Sequence, residues 1–221
     1  MKSDIKQEEN FEDYSDVNDF FNIVLIGDSS VGKTSILEKY IKNNFIQGFN
    51  NKNLIEIYKK KIFLYSNFYK LKFWDITQFI RKNDVSELDM FYNCDGIIFV
   101  SSYDNKASLD NINTWYQLLI EYIDLSTKEM IWLVNKNDLI NDNKILTEEQ
   151  IEKKSKDLQL DFFEVSAKTG DNIECSIKSL VKKLIKRCNN NSFDSFDKST
   201  QDSNDIIDSD SDNTGKKCCI F

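Results

Sequence analysis

Short apolar runs alternate along this chain with segments whose apolar residues recur every three or four positions. "FFNIVLIG" (20–27) and "DGIIFVSSY" (95–103) are apolar almost throughout, and "MIWLVNKND" (130–138) opens the same way. Runs of this kind, each ending in polar residues, predict strands buried on both faces. "KTSILEKYIKNNF" (33–45), "SLDNINTWYQLLIEYI" (108–123) and "NIECSIKSLVKKLIKR" (172–187) have helical spacing. "KKIFLYSNFYKLKFWD" (60–75) predicts two strands joined by a turn near Asn67, and "DFFEVSAK" (161–168) predicts a last strand. Buried strands alternating with helices specify an α/β fold: a mostly parallel sheet with helices on both faces and one antiparallel edge strand. Ligands of such sheets lie beyond the carboxyl ends of the strands.

The pattern is absent at both ends. Residues 1–19 are acidic and unpatterned, which predicts a mobile extension. Residues 20–187 form the patterned domain. Residues 188–221 are rich in Ser, Asn and Asp, which predicts a disordered linker ending in "KKCCIF".

Composition narrows the function. With 221 residues, the chain has room for one domain plus tails, and 40% hydrophobic content supplies a core. A formal charge of −8 argues against a nucleic-acid binder. There is no histidine, so a Ser-His-Asp triad and histidine-ligated zinc are excluded. The five cysteines are odd in number and scattered, unlike a disulfide framework. No run reaches the roughly 18 apolar residues of a membrane helix.

"GDSSVGKT" (27–34) follows the first strand and opens the first helix. It fits G-x-x-x-x-G-K-[ST], in which Gly27 and Gly32 allow backbone N–H groups to wrap phosphate oxygens. Lys33 then reaches the β- and γ-phosphates, and the Thr34 hydroxyl binds Mg²⁺. The alternative is an incidental glycine turn. "NKND" supplies Asn135, Lys136 and Asp138 at a strand end. A carboxylate there accepts from guanine N1–H and the 2-amino group, donors that adenine lacks; the alternative is a polar turn in an Asn-rich chain. "SAK" (166–168) ends the next strand, where the Ala167 N–H can donate to guanine O6.

These three segments, in this order and spacing, resemble the Ras superfamily of small GTPases over about Phe20 to Arg187. "IGDSSVGKTSIL", "KLKFWD" and "SLDNINTW" resemble the Rab branch within it. The resemblance implies a six-stranded sheet with five helices, a GTP/GDP and Mg²⁺ site, and GTP hydrolysis. It places Ser29, Ser30, Val31 and Ser35 with the phosphate loop, and Ser166, Ala167 and Lys168 at the base. Asp75 matches an aspartate that contacts Mg²⁺ through water. Phe45 falls where an aromatic edge meets the guanine, with a helix-capping core aromatic as the rival. Implied partners are an exchange factor, effectors, an escort protein and a prenyltransferase, for a monomer on the cytoplasmic face of endomembranes with a cytosolic pool.

The departures from that family are specific. The Mg²⁺-binding switch threonine should fall at Lys52, and no Ser or Thr occurs from Ile36 to Tyr65. The γ-phosphate glycine after Asp75 is replaced by Gln78, and the water-orienting glutamine by Phe79. A one-residue slip would let Gln78 orient water. Binding motifs are kept while switching motifs are degraded, so hydrolysis is expected to be slow.

Cys218-Cys219-Ile220-Phe221 fits C-a-a-X ending in Phe, a geranylgeranyl signal, and equally resembles the paired-cysteine endings of Rabs. Seven aspartates from Asp194 to Asp212 oppose any pull of Lys216 and Lys217 toward anionic lipid. Two prenyl groups are therefore expected rather than one. Three readings follow: a prenylated Rab-like GTPase in vesicle and membrane traffic, a pseudo-GTPase that binds nucleotide without switching, and a P-loop kinase or ATPase. "NKND" with "SAK" and the lipid signal disfavour the third.

Overall fold

The structure is a computed structural model that describes residues 17–46, 55–76, 90–139 and 145–194. Six strands form one sheet: β1 (Val17–Ile26), β2 (Ile55–Leu64), β3 (Asn67–Ile76), β4 (Gly96–Ser102), β5 (Glu129–Asn135) and β6 (Phe162–Glu164). Their spatial order is β2-β3-β1-β4-β5-β6. Every neighbouring pair is parallel except β2–β3, so the antiparallel edge is β2. Among the described residues the α-helices with a full range are α1 (Lys33–Lys42), α2 (Lys106–Ile120), α3 (Glu148–Leu158) and α4 (Ile173–Asp194).

The apolar runs became strands because both faces of the sheet are covered. β4 is buried along its whole length. On one side Ile23, Leu25, Phe73 and Ile98 pack with Ile36 and Leu37 of α1 and Ile177 and Leu180 of α4. On the other side Val24, Ile97, Phe99 and Trp132 pack with Leu109 and Ile112 of α2 and Ile151 of α3. Alternating residues of each strand thus feed opposite layers.

Element ends differ from the sequence expectations in informative ways. β1 begins at Val17, within the stretch expected to be an extension, because Val17 and Asp19 pair with Phe68 and Tyr69 across a register shift. Backbone pairing needs no apolar side chain, so polarity hid it. α4 runs to Asp194 rather than stopping at Arg187. Neither Gly nor Pro lies between Gly170 and Gly215 to stop it. The remainder of both tails lies outside the described residues.

α3 was not visible as an apolar stripe, since only Ile151 and Ser155 of it are buried. Its start is written locally: Thr147 and Gln150 form a capping box, each side chain bonded to the other's backbone N–H. The β2–β3 turn is Tyr65-Ser66, both left-handed (φ 49° and 61°), immediately before Asn67, near which it was expected. That pair gives the tight two-residue loop that matches strand twist.

Candidate functional site

The loops leaving β1, β4, β5 and β6 all open at the carboxyl edge of the sheet. The β1 loop runs from Gly27 (φ 151°) through Ser30 (φ 63°) to Gly32 (φ 97°), which caps α1 in a left-handed conformation. A Cβ on Gly27 would lie 2.2 Å from the Val100 carbonyl oxygen, and one on Gly32 would lie 2.3 Å from Asn135 Nδ2. Both glycines therefore answer to strain and to contact. The Val31 side chain is fully buried in the core, while Ser29 and Ser30 are exposed and Ser35 half-buried.

Lys33 folds back over this loop. Its Nζ donates to the carbonyls of Gly27 (2.8 Å) and Asp28 (2.7 Å). Burial pushes its ammonium below the usual lysine range, against the opposing pull of Asp75 and Asp28. A desolvated cation beside a curl of backbone N–H groups is a place for phosphate oxygens.

The Thr34 hydroxyl donates to Asp75 Oδ2. Asp75 is fully buried, and its Oδ1 has no hydrogen-bond partner. Burial raises its pKa, opposed by the Thr34 hydrogen bond and by Lys33. A buried carboxylate oxygen with no donor, beside a hydroxyl and a phosphate loop, fits a hard divalent cation. Among the described residues there is no group of three or more His, Cys, Asp or Glu that could hold a metal. Mg²⁺ takes one or two protein ligands and completes its shell with phosphates and water.

The β5 loop is wired to both neighbours. Asn135 Nδ2 donates to the Val31 carbonyl (2.8 Å), and Asn135 Oδ1 accepts from the Ala167 N–H (3.0 Å). One amide thus joins the β1 loop to the β6 loop. The Ala167 donor, expected to serve guanine O6, has the Asn135 side chain as its partner here. Lys136 is left-handed (φ 65°) and donates to the Ser30 carbonyl (3.0 Å) and to both oxygens of Asp104 (2.8 and 3.0 Å). The Ser166 hydroxyl donates to Asp138 Oδ1 (2.6 Å) and accepts from the Thr169 N–H (3.1 Å). Lys168 Nζ lies 3.8 Å from Asp138 Oδ2 and is mostly exposed, a weak pair.

Phe45 is half-buried against the α1–α4 side of the core, the layer that contains Ala167. Lys52, Gln78 and Phe79 lie outside the described residues, as do Cys218 and Cys219. Three contributors escaped the sequence reading: Asp28, whose carboxylate accepts from Asn111 Nδ2 (2.8 Å) and Trp115 Nε1 (2.9 Å), and those two partners on α2. Their spacing, four apart, puts Asn111 and Trp115 on one helix face but does not name Asp28 as their partner. Asp104 was also missed.

A sequence model of the Ras family matches residues 22–186. The chain is 31% identical over 175 residues to "Ras-related protein Rab-8B" of Homo sapiens, covering 79% of this chain and 83% of that protein. It is 27% identical over 173 residues to "Ras-related protein RabY" of Dictyostelium discoideum, covering 77% and 72%. With "Ras-related protein Rab-26" of Homo sapiens it shares 31% identity over 168 residues, covering 76% and 64%. The chain belongs to the Ras family, in its Rab branch, and has the α/β fold of a small GTP-binding domain.

Proposed function

From membership of the Rab branch we propose that this protein binds GTP and GDP with Mg²⁺, hydrolyses GTP slowly, and acts on membrane traffic through a prenylated C-terminus. The observation that carries the proposal is the shared wiring of three loops: Asn135 bonds at once to Val31 of the phosphate loop and Ala167 of the "SAK" loop. Base and phosphate sites built on one amide are suited to holding a single nucleotide.

In this reading the N–H groups from Asp28 to Thr34 and the Lys33 ammonium hold the phosphates. Asp138 Oδ2 accepts from the guanine edge, with Ser166 fixing the other oxygen. Lys136 ties the β5 loop to the Ser30 carbonyl of the phosphate loop, and Thr34 and Asp75 would hold Mg²⁺. Bound there, the cation would neutralise charge on the β- and γ-oxygens. Ser29, Ser35, Phe45 and Lys168 complete the proposed set.

Counted from Gly27 and Asp75, Lys52, Gln78 and Phe79 fall where the family resemblance implies a threonine, a glycine and a glutamine, and this reading supports slow turnover. They also favour a second reading, a pseudo-GTPase that retains nucleotide without switching. Membrane attachment rests on Cys218 and Cys219, since among the described residues no helix is long and apolar enough to cross a membrane. A cytoplasmic endomembrane surface, escort and prenyltransferase partners, exchange factors and effectors follow from this reading.

Nucleotide extracted from purified protein, identified by chromatography and followed for turnover, tests it. Bound guanine nucleotide that converts slowly from GTP to GDP is expected. Bound GTP that never converts selects the pseudo-GTPase, and adenine nucleotide or none sinks both.

A further inference from the structure

Asp104 stands in the loop that leaves β4 at Ser102, and the proposed nucleotide ligands do not include it. Both of its carboxylate oxygens accept from Lys136 Nζ, at 2.8 and 3.0 Å. The same ammonium donates to the Ser30 carbonyl of the phosphate loop (3.0 Å). An ammonium has three donors, and these contacts account for them. Lys136 therefore spans from the β5 loop to the phosphate loop, with its tip fixed from a third loop. The span starts from a left-handed backbone (φ 65°), a conformation that a residue with a Cβ keeps only when its surroundings hold it.

Asp104 is itself held. The hydroxyl of Ser102, a fully buried residue, donates to Asp104 Oδ1 (2.7 Å). The Ser102 N–H donates in turn to the Ser108 hydroxyl of α2 (3.1 Å). Next in the chain, Asn105 caps that helix by accepting from the Ser108 N–H. Burial opposes ionisation of Asp104, yet the hydrogen bonds from Lys136 and Ser102 hold its carboxyl below the usual carboxylate range. Exposed ion pairs commonly lose to side-chain entropy most of what attraction supplies. Here the carboxylate is oriented in advance, so that loss is smaller.

The rival account is an ion pair that only staples two surface loops. Those loops are already joined, because Ser102 pairs with Asn135 in the β4–β5 ladder and the Tyr103 N–H donates to the Asn135 carbonyl (3.0 Å). What the pair adds is the third contact, to Ser30.

We propose that Asp104 is a positioning residue for the nucleotide site, fixing the Lys136 ammonium on the Ser30 carbonyl. It thereby sets the spacing between the phosphate loop and the loop that carries Asp138. The inference rests on the guanine-nucleotide reading above and extends it to the β4 loop. Without the carboxylate the ammonium turns to water and the Ser30 carbonyl loses its donor. The phosphate loop is then less restrained, and bound nucleotide leaves sooner.

The test follows release of a fluorescent GDP analogue from the full-length protein, chased with excess GDP. Four proteins are compared: wild type, Asp104→Asn, Lys136→Met and the double variant. The two side chains are 38% and 30% exposed, so Asp104→Asn should speed release only about three-fold. Lys136→Met should speed it further, and adding Asp104→Asn to that variant should change nothing more. Asp104→Glu keeps both acceptors and should fall between wild type and Asp104→Asn. Unchanged release from Asp104→Asn, with a lowered urea midpoint of the apoprotein, overturns the proposal and leaves a structural staple. A three-fold effect that persists beside Lys136→Met also overturns it, since the aspartate would then act through another group. A folded wild type that retains no guanine nucleotide overturns the reading beneath, and the positioning role with it.

Discussion

Trp115 donates its indole N–H to Asp28 Oδ1 at 2.9 Å, joining the middle of α2 to the loop after β1. One turn earlier Asn111 donates to the other oxygen, Oδ2, at 2.8 Å. The Asp28 carbonyl meanwhile accepts from Lys33 (2.7 Å), so one residue is gripped from α2 and from the first turn of α1. Position of the loop and position of the lysine are therefore linked.

Trp115→Phe keeps the ring and loses the donor. A hydrogen bond to a charged group contributes roughly 1.5–3 kcal/mol. GDP should dissociate about ten-fold faster, measured by displacement of a fluorescent analogue. An unchanged rate with a lowered melting temperature would make the contact structural only.

Gly27→Ala should destabilise the fold by about 2–4 kcal/mol, from positive-φ strain plus overpacking. The new Cβ would meet backbone, the Val100 carbonyl oxygen 2.2 Å away, which no rotamer change relieves. Urea unfolding of the apoprotein reads this directly; a midpoint equal to wild type contradicts it.

Asp138→Asn replaces the acceptor proposed to face the base with a group that also donates. GDP and GTP should bind more weakly, and xanthine nucleotides should gain, because xanthine offers a carbonyl where guanine offers an amine. Calorimetric titration with both nucleotide families checks it. Unaltered GDP affinity removes Asp138 from the base site.

Replacing Cys218 and Cys219 by Ser should shift the protein from membranes to the soluble fraction, with each single mutant intermediate. One prenyl chain gives reversible binding, and two give stable anchoring. Fractionation, with mass spectrometry of the native C-terminus, decides. An unmodified terminus ends the anchoring proposal.

Hydrolysis requires a positioned water and donors that meet charge growing on the γ-phosphoryl oxygens. Removing one preorganised donor typically costs a factor of about 10²–10³. On the proposed register, which puts Lys52, Gln78 and Phe79 at three such positions, single-turnover hydrolysis should fall at least that far below a conventional Rab, although the losses need not add. Gln78→Gly with Phe79→Gln should recover part of the rate. A wild-type rate matching the conventional enzyme, unmoved by the double mutant, means another residue orients the water.

What the sequence determined by itself is the local chemistry. Gly27, Gly32, Lys33 and Thr34 at fixed spacing, and apolar runs long enough for strands, are short-range features that a linear reading detects. The tertiary structure decided what is joined across distance. Asn135 bridging Val31 and Ala167 spans 104 and 32 residues, and Asp28 reaches Asn111 and Trp115 across 83 and 87. No local pattern announces such pairs, because a parallel sheet brings distant strand ends to one edge only after the crossovers close. Element ends behaved the same way. Val17 joined β1 through backbone pairing with Phe68, and α4 continued to Asp194 with no residue to stop it. Backbone hydrogen bonds are blind to side-chain polarity, and polarity is what the sequence displays.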